Sequence, residues 1–143
     1  MKVFLTAIFF LISTNSFAQD KIFVASIKPV YDILLAITKD KNNSILLFSP
    51  NSSEHNHQLK KSDILNLNNA DLIFYADDSL ENSLSKIITN YSFGIKSHKL
   101  SEIDGLSILL LRNSKKNIDP HFWINPKNAI KIARSCAEKV VFM

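Results

Sequence analysis

Short apolar runs alternate along this chain with stretches whose apolar residues recur at helical spacing, and that alternation restricts the fold more than any other feature. Ile22 to Ile27 (IFVASI) is a β-rich run, and Val30, Ile33, Leu34 and Ile37 follow it at i, i+3, i+4 and i+7, the stripe of a helix laid on a sheet. Pro29 falls where a first helical turn tolerates it. A turn over Lys39 to Ser44 leads to a second buried strand, Ile45 to Phe48 (ILLF). Ser62 to Asn68 predicts a short helix with Ile64, Leu65 and Leu67 inward, and Asp71 to Ala76 a third strand. Asp78 with Glu81 three residues on marks the next helix start, the acid placed to meet first-turn amides, and Leu80, Leu84, Ile87 and Ile88 supply its stripe. Ile95 to Leu100 and Leu106 to Leu111 are two weaker strands, of which only one need be central. Asn125-Pro126 caps and opens a last helix with Pro126, Ala129, Ile130, Ala133, Ala137 and Val140 on one face. Strands alternating with helices predict an α/β fold, a mostly parallel four-stranded sheet flanked by helices with right-handed crossovers.

Residues 1–18 stand apart from this pattern. Lys2 is a charged start, Val3 to Ile12 an apolar run too short to cross a bilayer, and Ser16-Phe17-Ala18 places small residues where a signal peptidase cuts. The expectation is a secretory signal peptide cleaved after Ala18, and a periplasmic mature chain, residues 19–143, forming one domain. A single cysteine, Cys136, excludes an intramolecular disulfide and reads as a small buried apolar residue of the last helix. The net charge of +4 is spread without a basic cluster, which argues against a nucleic-acid partner.

Chemistry concentrates in Ser49 to Asp63 (SPNSSEHNHQLKKSD), where Glu54, His55 and His57 share four positions of a polar loop beyond the carboxyl end of the second strand. Imidazole nitrogen with carboxylate oxygen suits zinc and neighbouring divalent ions, and loops on a rigid scaffold are the usual carriers of such ligands. His121, in Asp119-Pro120-His121-Phe122-Trp123, is the best candidate to complete the set from elsewhere in the chain. Glu54 reads equally as a ligand or a solvated loop acid. Asp119 either orients His121 through the ring's other nitrogen or caps a turn. Phe122 and Trp123 read as core or cleft lining, and His98 as a surface residue.

Four blocks in order carry a resemblance across nearly all of the mature chain. They are Val24 to Pro29, then Ser53-Glu54-His55 with Leu59 to Asp63, then Asn69 to Phe74, and finally Asp119 to Pro126. In them the chain resembles the periplasmic receptors of zinc and manganese ABC importers, the zinc-receptor type in particular. The resemblance implies two α/β lobes joined by a long helix, with the metal held between them and passed to an inner-membrane permease. It makes His55 and His121 ligands from the amino-terminal lobe and Glu54 a further one. His57 stands where the family usually has an aromatic, so it is an extra ligand or a replaced aromatic. Such receptors are about twice as long. The expectation is therefore the amino-terminal lobe with the start of the connecting helix, the second lobe absent, and self-association through that helix's uncapped apolar face.

The function expected is capture of Zn2+ for an importer, with no catalysis. Alternatives are a Mn2+ receptor of the same family, a truncated remnant without function, and a zinc hydrolase using Glu54 as base. The hydrolase needs three firm protein ligands, and the sequence offers two good ones.

Overall fold

Phe23, Val24 and Ala25 form β1 (Phe23–Ala25), and all three side chains are buried, which is why the run shows no polar alternation. The structure, a computed structural model, describes residues 20–40, 42–49, 58–112, 114 and 117–143. β1 pairs in parallel with β2 (Ser44–Leu46) on one side and β3 (Leu72–Tyr75) on the other, with Val24 facing Ile45 and Ile73. β4 (Ser97–Lys99) joins β3 with Phe74 opposite His98. The sheet is wholly parallel, in the order β2-β1-β3-β4. The chain thus moves outward from β1 to β2, returns across β1, and continues outward through β3 to β4. The reversal falls between β1 and β3, the position at which open α/β sheets bind ligands beyond their carboxyl ends.

Helix α1 (Lys28–Thr38) follows β1, buries Val30 and Leu34, and packs on β2 and on the last helix. Helix α2 (Lys61–Asn69) buries Leu67 and ends where Asn68-Asn69 and the extended Ala70 stop it. Helix α3 (Asn82–Asn90) buries Leu84 and Ile88. Helix α4 (Pro126–Val141) starts as expected, with the Asn125 side chain accepting a hydrogen bond from the Lys127 amide at 3.0 Å. No described helix is long and apolar enough to cross a membrane.

Four expectations are corrected. Leu65 is 58% exposed rather than inward, since α2 has only a narrow buried row. Leu106 to Leu111 adds no strand to the sheet; it makes an isolated antiparallel bridge, Leu110 to Ile118, and its three leucines 109–111 face outward. Asp78 does not cap α3, because it pairs with Lys99 at 2.7 Å and accepts from the Tyr75 hydroxyl at 3.2 Å. Glu81 turns back, its Oε2 accepting from the amides of Ala76 (2.6 Å) and Asp77 (3.0 Å) at the end of β3. The core face of α4 is also not the apolar stripe alone. Asn128, Ile132 and Cys136 are its buried residues, at helical i, i+4, i+8 spacing, while Ile130 is 62% exposed. A polar residue within the buried row hides it from a hydrophobic pattern.

The candidate metal centre

Asp119 to Trp123 alternates outward and inward residues. Pro120 and Phe122 are buried, so the polypeptide is pinned on both sides of His121, whose side chain remains about half exposed. Asp119 bends back over the turn: its Oδ1 accepts from the His121 backbone amide and from the His121 ring Nδ1, both at 3.0 Å. These two hydrogen bonds, the backbone one first, hold the Asp119 carboxyl below the usual range. An ionised carboxylate has no proton to give, so Nδ1 carries the hydrogen of this bond, and in the neutral ring Nε2 is the nitrogen left with a lone pair. The Trp123 ring lies 5.4 Å from that of His121 and restricts its swing.

A cavity of about 400 Å³ opens beside this turn, lined by Ser107, Leu109, Asp119, His121, Phe122, Ile124 and Asn125. Its opposite wall is the chain emerging after β4. Asp119 donates its amide to Leu109 O at 2.7 Å, and Leu111 donates to Asn117 O at 2.9 Å, so the two segments run as a short ribbon. Asn128 of α4 fastens both. Its Oδ1 accepts from the Ser107 amide, and its Nδ2 donates to the carbonyls of Ser107 and Phe122, each at 2.9 Å.

Of the residues singled out from the sequence, Asp119 and His121 are brought together. Glu54, His55 and His57 lie outside the described residues; their loop follows Phe48, whose amide donates to Ser26 O at 2.9 Å. Phe48 itself lies past the carboxyl end of β2, next to the end of β1. Among the described residues, no group of three His, Cys, Asp or Glu side chains could hold a metal.

His98 is half-buried rather than a free surface residue. It stands edge-on to Phe74 with 5.8 Å between ring centroids, and its Nε2 lies 3.0 Å from Ser135 Oγ of α4. Burial, aided by the nearby Lys139 charge, lowers its pKa. A second feature invisible in the sequence lies at the switch between β1 and β3. Glu81 is 1% exposed, and burial pushes its carboxyl up to about 7 against the opposing pull of the Asp77 and Ala76 amides. Glu81 Oε1 and Ser26 Oγ are both buried without completing a hydrogen bond.

The sequence model of the family described as zinc-uptake complex component A, periplasmic, matches residues 23–142. The chain belongs to this family. A high-affinity zinc uptake system protein ZnuA of Brucella abortus is 35% identical over 89 residues, 62% of this chain and 27% of that protein. An uncharacterised protein of Rickettsia prowazekii is 34% identical over 121 residues, 85% of this chain and 37% of the relative. Among solved structures, the Mn-bound periplasmic metal binding protein of Candidatus Liberibacter asiaticus superposes with a TM-score of 0.71 at 26% identity, over 85% of this chain and 44% of that one. The chain spans less than half the length of the relatives it matches. Its four-stranded sheet and helices correspond to one lobe of such a receptor.

Proposed function

We propose that this chain is the metal-capturing lobe of a periplasmic receptor that delivers Zn2+ to an inner-membrane ABC permease. Membership of the zinc-uptake family supports the role, and the Asp119–His121 pair is the observation in the fold that carries the site. Asp119 fixes the ring by its Nδ1, and Nε2 binds the ion. A carboxylate behind the imidazole fixes its tautomer and orientation, as second partners of zinc-bound histidines do. His55 is the second ligand of this lobe, Glu54 a third, and His57 an extra ligand if the loop turns it inward. Other ligands come from a second lobe that residues 19–143 do not include. The chain is exported by its first 18 residues, binds and releases its cargo, and catalyses nothing.

Zinc is preferred over manganese on the chemistry of this donor set, because two imidazoles and one carboxylate suit Zn2+, whereas Mn2+ favours more oxygen ligands. The manganese reading draws on the Mn-bound Liberibacter protein. Titration of the purified chain with Zn2+ and with Mn2+, each against a competing chelator, separates them. Zinc is expected to bind more tightly, and His55→Ala and His121→Ala each to weaken it. Zinc affinity equal in the wild type and both variants overturns the reading.

A further inference from the structure

We infer that Asn128 is a positioning residue of this metal site, an inference that rests on His121 being a ligand. Asn128 is 1% exposed, and its carboxamide uses three hydrogen bonds at 2.9 Å to join the segment after β4 and the turn before α4 to this helix. One of its partners is the carbonyl of Phe122, the residue immediately after His121. The other two are the amide and carbonyl of Ser107, the start of the ribbon whose Leu109 carbonyl receives the Asp119 amide. Asn128 thus fixes both neighbours of the ligand: the turn bearing its ring, and the ribbon bearing the carboxylate that orients the ring.

The chemistry of the side chain makes this a matched device. A carboxamide offers one acceptor and two donors in a plane, and here the acceptor meets an N–H while both donors meet carbonyls. An aspartate would keep the first bond and lose the other two. An apolar residue would remove all three bonds, leaving the Phe122 carbonyl with only the Asn125 amide and the Ser107 amide and carbonyl without their tie to α4, so the ribbon and the turn would be released from the helix. Neighbouring Asn125 and Pro126 start the helix and would do so whatever stood at 128. A polar side chain in the buried row between Phe122 and Ile132 is therefore explained by placement of His121 rather than by helix formation.

The test compares Asn128→Ala and Asn128→Asp with Ile132→Ala, a core truncation of the same helix face one turn on. Three readouts are taken on the purified chain: zinc affinity against a chelator, the ring-nitrogen NMR signals of His121, and stability in urea. Both Asn128 variants are expected to lose affinity on the order of tenfold and to lose the ring signal of Nδ1–H bound to Asp119, by analogy with other outer partners of metal ligands. Ile132→Ala is expected to lower stability while leaving both site readouts unchanged. Wild-type affinity and wild-type ring signals in Asn128→Asp, or an equal affinity loss in Ile132→Ala, overturn the inference. His121→Ala separates the two levels. If it weakens binding while Asn128→Asp does not, only the positioning role fails; if it has no effect, the assignment of His121 as a ligand fails first.

Discussion

Glu81→Gln isolates the least expected group in the fold. The glutamine keeps a carbonyl oxygen for the Ala76 and Asp77 amides and removes the titration. In the folded chain the carboxyl binds its proton up to about pH 7, against an ordinary 4.5, chiefly because it is buried. The folded state thus holds this proton more tightly than the unfolded chain does. The resulting stabilisation is complete below pH 4.5 and is lost as pH rises through 7. At about 1.4 kcal/mol per pH unit, the displacement corresponds to roughly 3 kcal/mol, a large share of the 5–15 kcal/mol typical of a domain. His98 works in the opposite sense in an overlapping window. Its lowered pKa contributes stability present above 6.5 and lost on acidification, so the wild-type profile alone shows a partial cancellation. The difference between wild type and Glu81→Gln removes the His98 contribution. Urea unfolding at intervals from pH 4 to 8 is expected to show that difference shifting by about 3 kcal/mol against the wild type as pH rises. Parallel profiles, or a wild type gaining stability relative to the variant on alkalinisation, refute the reasoning.

Two further outcomes follow from the same geometry. Asp119→Ala, which frees the His121 Nδ1 and opens the turn, is expected to weaken zinc binding by about 10–100-fold in chelator competition while leaving the urea midpoint nearly unchanged, since the carboxylate is solvent-facing. Cys136 is 1% exposed and burial pushes its thiol up to about 12, so it is expected to resist a thiol reagent at pH 8 and to react once the chain is unfolded in urea.

What the sequence disclosed depended on where the physical pattern was local. β1 and β3 were legible because strands buried on both faces read as continuous apolar runs, β2 because its run is apolar although Ile45 and Leu46 are only partly buried at the sheet edge, and α4 at its start because Asn125-Pro126 is a capping signal. The parallel sheet followed from the alternation. Leu106 to Leu111 misled because an apolar run does not say whether its partner is a sheet: those leucines form an exposed ribbon beside the cavity, bonded to residues 117–119. Asn128, Glu81 and His98 were not legible: Asn128 and His98 have partners far along the chain, and Glu81 turns back four and five residues to the strand end instead of serving the helix it precedes. Ser107 is distant from Asn128, Ala76 and Asp77 belong to the preceding strand end, and Ser135 belongs to another helix. The Asp119–His121 pair could be anticipated because two residues separate cause and effect, whereas Glu54, His55 and His57 rest on sequence argument alone.

The central claim is that His121 binds the ion through Nε2 while Asp119 holds Nδ1. The chain has four histidines, at 55, 57, 98 and 121, whose ring nitrogens can be followed individually by long-range proton–nitrogen NMR as zinc is added. The account predicts that His121 and His55 shift at Nε2 and Nδ1 of His121 keeps its proton, while His98, packed between Phe74 and Ser135, does not move. Zinc that binds while the His121 ring signals stay in place would contradict it.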